Sequence, residues 1–114
     1  MHRFLQEGHP LPDAVFAAND LSALGCMEAL KEYRIRVPED ISVIGCDDHL
    51  LAGWVTPGLT TIRTHMERLG VEAAKEIFRL IAEKNGRILR LPGDIVVRHS
   101  CRIREDDVRK DRQP

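Results

Sequence analysis

Two short apolar runs, each broken off at a polar pair, set the pattern of this chain: Ala14-Val-Phe-Ala-Ala-Asn-Asp20 and Ile41-Ser-Val-Ile-Gly-Cys-Asp47-Asp48. An apolar run without alternation reads as a strand covered on both faces, as in a parallel sheet between helices. Strands are therefore expected over Ala14 to Ala18 and Ile41 to Cys46. Between them Leu21, Ala23, Leu24, Cys26, Met27, Ala29, Leu30 and Tyr33 recur at helical spacing, predicting a helix capped by Asn19 or Asp20 and running to about Tyr33 or Arg34. Only Glu28, Lys31 and Glu32 mark a wet edge. A helix this apolar is expected to be covered by more than its own sheet, with part of its surface against a second subunit. Strand, helix and strand at this spacing make a right-handed crossover with parallel strands. Both polar pairs then sit at one carboxyl edge, where open sheets bind ligands.

The flanking pattern is simpler. His2 to Glu7 read as the last turns of a helix closed by Gly8, with Pro10 and Pro12 barring continuation. Val37-Pro-Glu-Asp40 is a turn into the second strand. His49 to Val55 is apolar without periodicity, holds the single tryptophan, Trp54, and ends at the turn Thr56-Pro-Gly58. Leu59 to Arg63 can form a short strand. Met66, Leu69, Gly70, Ala73, Ala74, Ile77, Phe78 and Ile81 then predict an amphipathic helix to about Lys84, closed by Asn85-Gly86. Arg87 to Leu91 and Ile95 to Arg98 are expected to be extended, with a turn at Pro92-Gly-Asp94. Residues 103–114 carry mixed charge and little that is apolar, so the reading is one α/β domain over 1–102 and a disordered charged tail.

Composition narrows the function classes. Of the 114 residues, 17 are basic and 18 acidic, a formal net charge of -1 that draws the chain to neither nucleic acid nor an anionic membrane. No run is long enough to span a bilayer and the N-terminus lacks a signal-peptide core, so a soluble cytoplasmic protein is expected. Three cysteines, Cys26, Cys46 and Cys101, are odd in number and lie far apart, which favours reduced buried thiols over a disulfide framework. The pairs Cys46/His49 and His99/Cys101 sit in different segments and do not make a four-ligand zinc set, so no metal and no cofactor is expected.

The polar pairs carry the candidate chemistry. A carboxylate such as Asp47 at the end of a buried strand accepts along two oxygens, which suits the paired hydroxyls of a sugar or nucleoside, and Asn19 can donate and accept beside it. Such charge-assisted bonds contribute about 1.5–3 kcal/mol each. Equally, Asn19 and Asp20 can serve only as caps and Asp47-Asp48 only as a strand end; spacing leaves both open. Clustered aspartates also suggest magnesium-dependent phosphoryl transfer, as in receiver domains. Those, however, need an acidic pair after the first strand and a late-strand lysine, where this chain offers only arginines. Nucleophile elbow, P-loop, dinucleotide turn and zinc-protease motifs are all missing, Thr60-Thr61 and Arg63 read as strand-edge hydrogen bonding, and the chain is not expected to be an enzyme. Without a basic helix-turn-helix, a basic stripe or stacking aromatics it is not expected to read DNA directly.

Four ordered stretches resemble the signatures of LacI/GalR-type transcriptional regulators: Val15-Phe-Ala-Ala-Asn-Asp-Leu-Ser-Ala-Leu-Gly25, Arg36-Val-Pro-Glu-Asp-Ile-Ser-Val-Ile-Gly-Cys-Asp-Asp48, Pro57-Gly-Leu-Thr-Thr-Ile62 and Ile95-Val-Val-Arg-His-Ser100. The resemblance covers nearly all of the chain to about Arg102. It implies the C-terminal part of an effector-binding domain: an α/β, parallel-sheet fragment of the periplasmic-binding-protein-like (type I) fold, mainly its C-terminal lobe. By the same resemblance Leu59 to Arg63 is a crossover between lobes and the helix from Met66 to Lys84 belongs to the other lobe. Asn19 and Asp47 match effector-contacting positions, and Leu24, Leu51, Ala52, Trp54 and Val55 match a dimer surface. The implied ligand is a small-molecule effector, a sugar or nucleoside, and the implied partner a second copy of the chain. Cys46 stands where an aromatic residue is common in the family, which alters the pocket floor. A transport protein of the same fold, a periplasmic sugar-binding protein, is the competing class. The family's helix-turn-helix, hinge and most of the N-terminal lobe have no counterpart in these residues, so open sheet and helix surfaces are expected to be satisfied by homo-oligomerisation.

Overall fold

The structure, a computed structural model, describes residues 1–102; the expectation for the charged tail, 103–114, lies outside the described residues. Helix α1 (His2–Gln6) is followed by strand β1 (Ala14–Phe16), helix α2 (Asp20–Glu32), strand β2 (Ser42–Cys46), a 3₁₀ turn (Leu50–Gly53), strand β3 (Thr60–Arg63), helix α3 (Met66–Glu83) and strand β4 (Asp94–Val96). The strands form one sheet in the order β1-β2-β3-β4. The first three are mutually parallel and β4 runs antiparallel to β3.

The expected crossover is present, β1 and β2 lying parallel with Phe16 opposite Ile44. α2 packs on β2 and drives Ala23, Ala29 and Leu30 into the interior, where Leu30 meets Ile41, Val43, Ala52 and Leu59. Each of these larger apolar side chains contributes roughly 1.5–3 kcal/mol by leaving water. β1 is shorter than expected because only Ala14 to Phe16 pair with β2, although Ala17 N still donates to Ile44 O at 2.9 Å. Behind the sheet, Ser100 ties two strands. Its Oγ accepts from Thr60 N at 2.8 Å and donates to Val43 O, while its carbonyl accepts from Val43 N at 2.8 Å.

Four local expectations are corrected. α3 ends at Glu83, with Lys84 rather than Asn85-Gly86 as the left-handed cap (φ 53°), because the chain must turn back at once for Arg87 to reach Glu76. Arg87 to Leu91 forms no strand. β4 begins at Asp94 and ends at Val96, and Gly93 leads into it because a Cβ there would stand 3.0 Å from Arg63 O. The cysteines are free but only partly buried.

α3 differs from α2, the other long helix. No residue of it is buried, and Met66, Leu69, Ile77, Phe78, Leu80 and Ile81 are exposed. The radius of gyration, 18.5 Å, exceeds the about 13 Å of a compact chain of this length, as a helix standing clear of the sheet requires. Among the described residues no helix is long and apolar enough to cross a membrane.

Candidate functional site

The edge of the sheet where β1, β2 and β3 end is built around a carboxylate that the sequence pattern presents only as a cap alternative. Asn19 is the cap: its Oδ1 accepts from Ser22 N at 2.8 Å. Asp20, the first residue of α2, is buried and accepts from His49 N at 2.6 Å and Thr61 Oγ1 at 2.5 Å. It thus ties α2, the loop after β2, and β3 together. Gly45 makes this approach possible, since a Cβ on it would stand 2.2 Å from Asp20 Oδ1.

Beyond β2 the backbone turns through two left-handed residues, Asp47 (φ 107°) and Asp48 (φ 52°). Non-glycine residues hold such angles at a cost of about 1–3 kcal/mol each and only where their surroundings over-determine them. Here Asp47 N donates to Ile62 O at 2.8 Å. Asp48 is clamped from two sides, by Arg63 Nε at 2.8 Å and by the Arg98 terminal nitrogen at 2.7 Å. Arg98 also donates to Leu59 O at 2.8 Å. The Arg98 bond, with that of Arg63 beside it, holds the Asp48 carboxyl below the usual range. Its side chain is 13% exposed.

Asp47 has the opposite character. It is exposed, and its carboxylate makes no ion pair among the described residues. It opens on a cavity of ≈ 380 Å³ lined also by Asp48, Arg63, His65, Met66, Glu67 and Arg68. Burial, reinforced by the Asp47 charge, pushes the neighbouring Cys46 thiol up, so it stays protonated. No group of three or more metal-ligating side chains is gathered among the described residues.

Asn19 and Asp47 each lie three residues past the register pair Phe16 and Ile44, and so share the carboxyl edge. They do not share the cavity, which Asn19 does not line. The structure adds Arg63, Arg98, Thr61 and Asp20 to the residues of this edge. Thr61 is a hydrogen-bonding residue as the sequence suggests, but buried in an inner strand instead of at a sheet edge, whereas Arg63 is an ion-pairing one. The arginines carried a signal only as basic residues at the end of β3 and just past β4, within reach of an aspartate pair. Thr64, next in the chain, has a buried Oγ1 without a partner among the described residues.

A larger and more apolar groove, ≈ 580 Å³, lies elsewhere, between α2 and the turn before β3. Leu24, Met27, Ile35, Val37, Val55 and Pro57 form its floor, with Glu28, Lys31, Arg34, Arg36 and Glu39 around it. Leu24 and Val55, two of the expected dimer residues, thus meet in one groove. Leu51 and Trp54 are exposed, Trp54 at 73%. Ala52 is a correction: it is 0% exposed, because the 3₁₀ turn points it inward, where its carbonyl accepts from Leu59 N, and it supports that surface from beneath. Size alone favours this groove as a ligand site, but a small polyhydroxylated ligand needs convergent polar groups, and these surround Asp47.

Residues 1–101 match the family model described as a periplasmic binding protein-like domain. The chain belongs to this family. Within it, the chain corresponds to part of the effector-binding domain of LacI/GalR-type regulators. It is 42% identical over 94 residues to the HTH-type transcriptional repressor PurR of Histophilus somni, covering 81% of this chain and 28% of that repressor. Among solved structures, the lac repressor dimer bound to operator and the anti-inducer ONPF superposes with a TM-score of 0.78 at 36% identity, over 88% of this chain and 35% of that one. A LacI family transcriptional regulator from Enterococcus faecium with bound ribose gives a TM-score of 0.73 at 32% identity, over 88% and 38%. The chain thus spans under two fifths of the length of these relatives.

Proposed function

We propose that residues 1–102 are a partial effector-binding domain of a cytoplasmic, ligand-responsive transcriptional regulator, with Asn19 and Asp47 on one wall of a sugar or nucleoside cleft. The observation that carries this reading is Asp47: an exposed carboxylate without an ion pair, held in a left-handed backbone at the carboxyl edge of three parallel strands. That PurR is a repressor favours a regulator over a periplasmic sugar-binding protein. No DNA contact, cofactor or catalytic step is assigned to these residues. α3, with no buried residue, fits a helix covered by a second lobe.

The test is an NMR titration of the 114-residue chain with millimolar ribose, galactose and glucose. Backbone amide shifts are expected from Asp47 to His49 and around Asn19, and are expected to vanish in Asp47→Ala. Shifts scattered over the surface, or unchanged in that variant, would overturn the assignment.

The groove at Leu24 and Val55 supports a second proposal, that a second copy of the chain covers it. Its lining carries both charge signs, Glu28 and Glu39 with Lys31, Arg34 and Arg36, which leaves no single-sign field to repel a second copy. Sedimentation is expected to show a dimer that Leu24→Asp converts to a monomer with an unchanged circular dichroism spectrum. A dilute wild-type monomer would exclude it.

A further inference from the structure

We propose that the cavity beside Asp47 takes an effector that is both polyhydroxylated and anionic, a sugar acid or sugar phosphate, with Arg63 as the residue that reads the anionic group. This deepens the effector-site reading and rests on it. The cavity holds two carboxylates without an ion pair among the described residues, Asp47 and Glu67, of which Asp47, at the strand end, is suited to hydroxyl donors. Against it stands a guanidinium that is fixed but not used up. Arg63 spends its Nε on Asp48, and its two terminal nitrogens have no partner among the described residues. Its side chain is 48% exposed.

Asp48 supplies one negative charge to two guanidiniums, so the Arg63–Asp48–Arg98 clamp by itself is net positive, although Asp47 and Glu67 offset it within the cavity, and Arg98 is not the clamp's outlet. Arg98 donates to both Asp48 and Leu59 O and is 22% exposed. The surplus therefore falls on the end-on edge of Arg63, the edge that binds a carboxylate or phosphate through two parallel bonds.

The other charged groups of the cavity do not fill that role. His65 is bonded to Asp94 at 2.7 Å. Arg68 makes no hydrogen bond or ion pair among the described residues, so nothing pre-orients it. Glu67 opposes an anion, but it stands in the first turn of α3, whose amides have no side-chain cap and draw its charge. An anionic group thus has one pre-oriented partner, Arg63, while the hydroxyls of the same ligand have Asp47. A neutral sugar offers Arg63 only single hydroxyl acceptors, without the paired charged oxygens that its fork fits.

NMR titration of the 114-residue chain with matched pairs tests this: glucose against glucuronate and glucose 6-phosphate, and galactose against galacturonate. At low salt at least one anionic member is expected to bind about tenfold or more tighter than its neutral partner, the size of one charge-assisted bond. Arg63→Gln is expected to bring that ratio close to one, and Arg63→Lys, which keeps the charge and the pairing with Asp48 but loses the fork, to an intermediate value. Should Arg63→Gln fail to fold, the Lys variant and a wild-type ratio that falls with salt carry the test. Preference for a carboxylate or for a phosphate identifies the source of the anion. Equal binding within every pair, or a preference that survives in both variants, would overturn the proposal while leaving the effector cleft intact. Binding of no sugar, neutral or anionic, would overturn both.

Discussion

Gly45→Ala is expected to cost this chain its fold, or nearly so. β2 is paired on both sides, with Gly45 opposite Thr61, so its backbone cannot retreat. A Cβ at Gly45 would meet Asp20 Oδ1 at 2.2 Å, Leu59 Cδ2 at 3.0 Å and the Asp20 Cα at 3.2 Å. The Leu59 side chain can give way; the Asp20 backbone, at the capped start of α2, cannot. Nor can the Asp20 carboxylate swing aside without leaving His49 N and Thr61 Oγ1. Overpacking costs about 1–3 kcal/mol and the loss of Asp20's bonds a further 1–3, roughly 4 kcal/mol together. Domains hold only about 5–15 kcal/mol in total. Urea unfolding followed by circular dichroism should show the loss as a collapsed midpoint. Gly25→Ala and Gly70→Ala are the controls: both sit in helices with nothing within 4 Å of the added Cβ, and each should leave stability unchanged or raise it by up to ~1 kcal/mol. A Gly45→Ala midpoint equal to theirs would mean that α2 is free to shift on the sheet.

The elements of the sheet were legible because their signals are local. An apolar run without alternation gave β1 and β2, helical spacing gave α2 and α3, and the crossover rule gave the parallel pairing. What local signals could not carry were distances between segments. Gly93 reads as a turn residue, yet it lets β4 lie against Arg63 O. Lys84 closes α3 in a left-handed conformation that favours glycine by about 1–2 kcal/mol, so the neighbouring Asn85-Gly86 pair looked like the closing point instead.

The same limit divides the candidate site. Asp47 was legible as a polar residue at a strand end. That Asp48 beside it is a structural ion pair depends on Arg98, fifty residues away in sequence. Identical residue types therefore receive opposite roles, one carboxylate clamped and one open. Ala52 shows the converse error: membership of an apolar stretch marks the 3₁₀ turn as a surface element but does not say which of its residues faces in.

Asp20→Ala is expected to destabilise the chain by about 2–4 kcal/mol, since a buried acceptor of two hydrogen bonds is removed. The loss has two parts. The bonds from His49 N and Thr61 Oγ1 disappear; the buried Thr61 hydroxyl stays behind unsatisfied at about 1–3 kcal/mol, and the part-buried His49 amide loses its anchor. A carboxylate at the first position of α2 also interacts favourably with the helix amides, by about 0.3–1 kcal/mol. Asp20→Asn separates these contributions. Its carbonyl oxygen can still accept from one donor, but its NH₂ then faces the other donor, so roughly half the loss should remain. The junction also holds the loop that carries Asp47, because His49 N anchors the chain just past Asp48. Hydrogen exchange at the His49 amide should accelerate in both variants, more in Asp20→Ala, while exchange at Val43 in the middle of β2 should follow only the global stability. If Asp20→Ala unfolds within about 1 kcal/mol of the parent and His49 stays protected, the Asp47 loop is held by the Arg63–Asp48–Arg98 clamp alone. A measurable loss at His49 that exceeds the global change instead makes Asp20 the residue that positions the site, through a contact no sugar would touch.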